Sequence, residues 1–164
     1  MLRSQPEMNA GYSEEIVDVI KGFLVEDDWH FDFDEERGVF KFGVSIESKL
    51  KHLRYFIPVR EDAYTVYAVS PIEADSDDDS VMKEMADFIC RANYGLRNGN
   101  FELDMTDGEV RYKCFVDCDG ITPSEEIVKG SIIIPSVMFD RYAPGMLDIM
   151  FKGSKAEEAI AKCE

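Results

Sequence analysis

The sequence lacks any long hydrophobic run. Its aliphatic stretch Ile132-Ile133-Ile134 stops at Pro135, whereas a membrane-spanning helix needs about 18 consecutive apolar residues. Residues 1–13 are polar and contain no apolar segment of the kind that a secretory signal needs. The sequence therefore predicts a cytoplasmic protein with no membrane partner.

Basic residues are scarce. The 164 residues include 34 acids against 18 lysines and arginines, for a formal net charge of −16. A nucleic-acid-binding protein needs a basic face to displace counterions from phosphates, so this composition argues against a nucleic-acid partner. The charge is uneven, however, because residues 7–36 hold eleven acids and one base, whereas residues 37–60 hold six bases and one acid. The chain is an acidic protein with one basic segment.

Cysteine and histidine, the residues that usually bind zinc, are also few. The chain has four cysteines and two histidines, and no two cysteines have the C-x-x-C spacing. Such a set does not indicate a zinc site and is typical of reduced thiols, some of them buried. Asp75, Asp77 and Asp79 match the first three ligand positions of a calcium-binding loop. Ser80, however, stands where that loop requires glycine and Ala86 where it requires glutamate, so we expect a solvated acidic loop.

Motifs of catalysis are absent from the sequence. It contains no phosphate-binding loop, no glycine-rich dinucleotide motif and no nucleophile elbow. The two histidines lie in separate segments and suggest no general base for a nearby cysteine or serine. The sequence therefore predicts no catalytic residue, no bound metal and no cofactor, and a protein that is not an enzyme.

Apolar periodicity divides the chain into helical and extended segments. A period near 3.6 residues predicts helices over about 13–25 and 79–95, a helix that begins at Pro135, and a short helix over 154–162. A period of two predicts four strands between Trp29 and Val69, and the Asp107-Gly108 turn predicts a hairpin of two further strands. The expected fold is α+β: an antiparallel sheet of about five to six strands with helices on one face, in the order α-β4-α-β2-α-α.

The domain organisation is expected to be simple, with a mobile leader over residues 1–12 and one domain over 13–164. The predicted strands hold more aromatic side chains than one small sheet face needs. We expect most of these rings in the core, and any that remain on the outer face to mark a contact surface. The rings in question belong to Trp29, Phe31, Phe33, Phe40, Phe42, Tyr55, Tyr64 and Tyr67.

One stretch carries a recognisable signature, formed by Asn93-Tyr94-Gly95-Leu96, Gly99-Asn100-Phe101-Glu102-Leu103-Asp104 and Asp107-Gly108-Glu109-Val110-Arg111-Tyr112. It resembles the YbjN family, which is described as bacterial sensory transduction regulators. The resemblance follows the element order over roughly 13–162 and is specific over about 85–113. We interpret the signature as structural, with glycines at turns and asparagines bonded to free backbone groups. Its members are Asn93, Tyr94, Gly95, Gly99, Asn100, Phe101, Asp104, Asp107 and Gly108.

The resemblance implies a fold similar to that of type III secretion chaperones, which often dimerise and bind segments of other proteins. It implies no catalytic residues, since the family has none established. Our first hypothesis is therefore a non-enzymatic regulatory or chaperone-like module that binds a protein or peptide and forms a homodimer.

The interaction surface is expected in the basic segment and on the late helix. Its candidate residues are Lys49, Lys51, His52, Arg54, Met138, Tyr142 and Met146. The alternative hypothesis is a small-molecule sensor or an enzyme with a pocket between sheet and helices, which would need a few converging polar groups. A third, divalent-cation binding at Asp75–Asp79, would use the acidic loop.

Overall fold

A computed structural model describes residues 11–164, which form four helices and six strands. The mixed α+β fold that the sequence predicts is confirmed. In chain order the elements are α1 (Glu14–Glu26), β1 (Asp32–Asp34), β2 (Val39–Ser45), β3 (His52–Pro58), β4 (Ala63–Val69), α2 (Asp79–Asn93), β5 (Asn100–Leu103), β6 (Val110–Asp117), α3 (Glu125–Lys152) and α4 (Ala156–Ala161).

The strands form one antiparallel sheet in the order β1-β2-β3-β4-β6-β5. α3 packs against β4 and β6 of the sheet, and it also contacts the other three helices, α1, α2 and α4. Side chains alternate along each strand between an inner face, which packs against the helices, and an outer face. In β4, for example, Tyr64 and Val66 are fully buried, whereas Thr65 and Tyr67 are partly exposed.

α3 runs through the middle of the core. Phe139 and Tyr142 of this helix meet Phe101 of β5, with ring centroids 5.2 and 5.7 Å apart. Phe101 in turn packs edge to face on Tyr112 of β6 at 4.9 Å. These four rings are almost completely buried, so they join the helical layer to the sheet.

α3 also differs from the sequence-based expectation, because it begins at Glu125 and not at Pro135. The hydroxyl of Ser124 accepts a hydrogen bond from the Ile127 N–H at 3.3 Å and caps the helix. Pro135 is a buried interior residue, as its apolar ring fills the core although it has no N–H to donate. No helix formed by residues 11–164 is long and apolar enough to cross a membrane.

The first predicted strand is shorter than expected. The alternation from Trp29 to Phe33 predicts a strand over the whole run, but only Asp32–Asp34 pairs with β2. Asp28 adopts a left-handed backbone conformation with φ of 57°, and the Trp29 N–H donates to the Leu24 carbonyl at 2.8 Å. The chain leaving α1 is thus bonded to the helix end, and it reaches β2 only at Asp32.

The predicted leader, 1–12, lies outside the described residues except for its last two. Of these two, Tyr12 contacts the folded domain. Its ring meets Phe33 edge to face at 5.9 Å, and its hydroxyl donates to the Glu35 carbonyl at 2.9 Å. A Cβ on Gly38 would lie 2.4 Å from this ring, so the tyrosine packs directly on the β1–β2 turn.

Candidate interaction surface

The first half of the signature joins α2 to β5. The Asn93 side chain donates from Nδ2 to the Phe101 carbonyl at 2.9 Å and accepts the Phe101 N–H at 2.7 Å. Asn100 also donates to the Phe101 carbonyl, at 3.1 Å. Gly95 and Gly99 have φ of 84° and 78°, which bring the chain around the turn between these elements. Phe101 is therefore fixed in the core by its backbone as well as by its ring.

The second half of the signature forms the β5–β6 hairpin. The Gly108 N–H donates to the Asp104 carbonyl at 2.8 Å, and the Asp107 carboxylate accepts the Glu109 N–H at 3.0 Å. The Ala74 N–H donates to the Gly108 carbonyl at 2.9 Å. The hairpin is thereby attached to the segment that precedes α2. The signature residues maintain the fold, and among them Tyr94, which is 91% exposed, lies on the surface.

No helix formed by residues 11–164 packs on the outer face of the sheet. We use the name outer face for its exposed and half-buried side chains, which belong to Asp32, Asp34, Lys41, Ser45, His52, Arg54, Phe56, Thr65, Tyr67, Asn100, Glu102, Arg111, Lys113, Phe115 and Asp117. Phe56 stacks on Tyr67 with centroids 4.7 Å apart, and the Arg111 guanidinium lies 4.5 Å from the Tyr67 ring centroid. Phe115 is 58% exposed. This surface is aromatic at its centre, with basic side chains beside the rings and Asp32, Asp34 and Asp117 at its margins.

Glu102 pairs with the positive charges of Arg111 and Lys113 at one end of the outer face. Its two carboxylate oxygens accept from Arg111 Nε at 2.7 Å and Lys113 Nζ at 2.9 Å. Burial alone would raise the pKa of Glu102, but the bonds from Lys113 and Arg111 outweigh it and hold the pKa below its usual range. This carboxylate is therefore ionised at neutral pH.

The other end of the outer face leads to the basic segment, where the structure brings four predicted site residues together. Lys49, Lys51, His52 and Arg54 are all exposed at the β2–β3 turn and in β3. Within residues 11–164 none of these side chains forms an ion pair, and neither does Lys41. We call these five residues the basic band. In a chain with a large excess of acids, a surface of basic side chains without ion pairs is available to an anionic partner.

The turn that carries the basic band is fastened to the helical layer. The Ser48 N–H donates to the Asp140 carboxylate of α3 at 2.7 Å, and Ile46 donates its N–H to the Lys51 carbonyl at 2.9 Å. Lys51 itself adopts a left-handed conformation with φ of 67°. The cations therefore extend from a backbone of fixed shape.

The late-helix residues do not form the surface that the sequence predicts. Tyr142 and Met146 are each 2% exposed and belong to the core, and Met138 is half-buried. Their period places them on the side of α3 that faces the sheet. The exposed apolar residues of α3 are Ile127, Ile133, Val137 and Phe151. Ile133, Val137 and Phe151 lie within about 40° of one another around the helix, opposite its buried side, and we call these three the α3 stripe.

The surplus of strand aromatics leaves open which rings lie on the outer face, and the structure places Tyr67 there together with Phe56, which that set does not include. Tyr64 and Tyr67 are three residues apart on a strand, so their side chains must point to opposite faces. The same parity places Phe56 beside Arg54 and away from Tyr55. A strict even–odd assignment along β3 and β4 would have found both rings from the sequence.

A cleft of about 540 Å³ opens at the edge of the sheet, beside the residue at which β1 begins. Trp29, His30, Phe31 and Asp32 line one side, and residues 41–43 of β2 line the other. It differs from the predicted pocket, which was expected between sheet and helices.

The thiols and acids show no arrangement for chemistry in the described part of the chain. Cys114 and Cys118 are free and buried, and burial raises the pKa of both thiols. Among residues 11–164 no group of three or more histidines, cysteines and acids could hold a metal ion. In the acidic loop, Asp75 accepts the Asp77 N–H at 3.0 Å and Asp78 caps α2.

These features define a class of protein: an α+β fold with its helices on one face of an antiparallel sheet and, within residues 11–164, no helix on the other. The chain belongs to the YbjN family. The model of that family, described as "Putative bacterial sensory transduction regulator", matches residues 17–127, about two thirds of the chain. The match includes the signature and the outer face, and the description is consistent with a regulatory role. Comparisons with curated proteins and with solved structures give no match.

Proposed function

We propose that this protein is a regulatory module that binds an acidic segment of a partner protein on the outer face of its sheet, in the manner of a chaperone. The observation that carries the proposal is the basic band, whose cations have no ion-pair partner within residues 11–164. Next to it, the Phe56–Tyr67 stack offers aromatic area at the centre of the same face. Exposed rings bordered by basic side chains without ion pairs are the composition of a protein-binding surface.

A charge reversal tests this proposal. The probe is a fluorescently labelled peptide in which glutamate and valine alternate, compared with its lysine–valine counterpart. We expect the glutamate peptide to bind more tightly, and Arg54→Glu to weaken its binding about tenfold, because one attraction becomes a repulsion. Fluorescence anisotropy at low and high salt measures the effect, which salt should reduce.

Lys83→Glu is the matched control, since it makes the same charge change on the exposed surface of α2, away from the outer face. Its affinity for the glutamate peptide should stay within about twofold of the unsubstituted protein. Equal affinity for both peptides, or equal losses in Arg54→Glu and Lys83→Glu, would refute binding at the outer face.

The proposal includes a homodimer, formed by two copies that pack their α3 stripes together. Two chains of net charge −16 repel, so self-association needs a surface without charge. Ile133, Val137 and Phe151 are 37%, 51% and 69% exposed and lie on one side of α3. A dimer contact at this position leaves the outer face of each copy free to bind the acidic segment of the partner protein.

We expect sedimentation velocity at micromolar concentration to show a dimer. Val137→Glu should convert it to a monomer, because two buried carboxylates would face each other across the contact. Val25→Glu is the control, as Val25 is also an exposed valine, at 64% against 51% for Val137, but lies on α1. A monomeric unsubstituted protein, or equal dissociation in both variants, would rule out this dimer.

A further inference from the structure

The edge of β2 is only partly covered. β1 pairs with Val39, Phe40 and Lys41, and no strand follows it along the rest of β2 within residues 11–164. β3 covers the opposite edge of β2 along its full length, from Val39 to Ser45. The segment from Phe42 to Ser45 is therefore a free strand edge.

The register shows which backbone groups point outward. The Val59 N–H donates to the Gly38 carbonyl and the Ile46 N–H to the Lys51 carbonyl, so even-numbered residues of β2 bond to β3. In an antiparallel ladder the intervening residues direct both backbone groups to the other side. For Gly43 and Ser45 that side holds no strand, and their N–H and C=O groups are unpaired within the described chain.

β1 shows which kind of sequence pairs with this edge of β2. Asp32-Phe33-Asp34 is an extended acid–apolar–acid sequence, with Asp32 opposite Lys41 and Phe33 opposite Phe40. Phe33 points inward, with its ring 4.5 Å from that of Phe40. A continuation of this strand would place residues opposite Gly43 and Ser45, but the chain before Asp32 is bonded to the end of α1 instead.

We propose that the Gly43–Ser45 edge binds an extended acid–apolar–acid segment of a partner protein, which pairs with β2 in line with β1. This inference rests on the proposed function and names where the acidic segment lies. Gly43 is opposite Arg54, so an acid facing Gly43 lies in the same outer-face row as the guanidinium, with no side chain between them. An acid facing Ser45 lies in the row of His52. The apolar residue between the two acids points to the inner side, as Phe33 does.

Charge selects this occupant over a second copy of the same edge. Two free edges that paired with each other would bring the basic bands of both copies near one another, and such like charges repel. An acidic strand gains from the same cations. The cleft beside residues 41–43, with Trp29 and Phe31 on its far wall, gives the strand room to enter.

Gly43→Pro tests the edge directly, because proline removes the outward N–H while the bonds to β3 use other groups. Gly43→Ala is the control: it keeps the N–H, and its Cβ would lie 3.9 Å from the Leu53 carbonyl oxygen, an ordinary contact. With the alternating glutamate–valine peptide, we expect at least about tenfold weaker binding for Gly43→Pro and about equal binding for Gly43→Ala.

A second measurement uses the unsubstituted protein, in case Gly43→Pro does not fold. Peptides that carry N-methyl groups on alternate amides keep their charge but lose one set of backbone donors. One of the two methylation patterns should abolish binding, and saturation with the unmethylated peptide should slow amide exchange at Gly43 and Ser45.

The outcomes separate this inference from the proposed function. If Arg54→Glu weakens binding while Gly43→Pro and both methylation patterns do not, the outer face binds the peptide and the strand edge is refuted. If Gly43→Pro dissociates the homodimer, a second copy occupies the edge and the inference is wrong. If the glutamate peptide does not bind at all, both proposals fail.

Discussion

Replacing Gly108 by alanine is expected to lower the free energy of unfolding by about 3 kcal/mol. Gly108 has φ of 81°, a conformation that costs an L-residue about 1–2 kcal/mol. An added Cβ would also lie 2.0 Å from the carbonyl oxygen of Ala74, which is backbone and cannot rotate away. The hairpin and the segment before α2 would have to separate, at the expense of the hydrogen bond from the Ala74 N–H to the Gly108 carbonyl. Urea unfolding followed by circular dichroism measures the loss.

Gly120→Ala separates the two causes. Gly120 has a similar φ of 72°, but a Cβ there would meet nothing within 4 Å. Its variant should lose only about 1 kcal/mol, the conformational part of the penalty. Equal losses at the two glycines would show that the contact with Ala74 does not limit the space at Gly108.

Gly145→Ala is expected to lower the free energy of unfolding by about 2–3 kcal/mol, although alanine favours helices. An added Cβ would lie 2.5 Å from the Phe88 ring of α2 and 2.9 Å from the Ala159 carbonyl oxygen of α4. Phe88 is fully buried, so its ring has no free space to enter. The melting temperature should fall by roughly 5–10 °C, as measured by differential scanning calorimetry.

Gly22→Ala makes the same change inside α1, where a Cβ would meet nothing within 4 Å. Helix propensity then acts alone and should stabilise the protein by up to about 1 kcal/mol. The two substitutions therefore have opposite signs. A stabilising Gly145→Ala would mean that α2 and α4 can move away from α3 without cost.

Local patterns carried most of the prediction of the fold. Helix starts at Ser13 and Asp78, and the Asp107-Gly108 hairpin, depend on a few adjacent residues whose backbone preferences are strong. The mixed α+β class and the antiparallel sheet follow from the periodicity of these segments. The start of α3 could not be predicted from Pro135, because burial of the ring between neighbouring elements outweighs the missing hydrogen bond.

The candidate site was predicted only in part. The basic band could be predicted because residues 37–60 hold six bases and one acid, and lysine and arginine side chains are rarely buried. Tyr142 and Met146 were misplaced because an apolar residue on a helix can face the core or solvent, and only the packing of α3 decides which. The free edge at Gly43 depends on the residue at which β1 begins. The hydrogen bond from the Trp29 N–H to the Leu24 carbonyl determines that start, because it holds the preceding chain against the end of α1.

The central position of α3 has a consequence for how the protein forms. All six strands precede α3 in the chain, so during synthesis the sheet is complete before the helix that covers it. Until then the inner aromatic side chains of β4, β5 and β6 lack their main covering layer, and exposed apolar strands are prone to aggregation. We expect the folding nucleus to include contacts between α3 and strands that were synthesised much earlier. Because such contacts join distant parts of the chain, folding should be slower than in a protein with mainly local contacts.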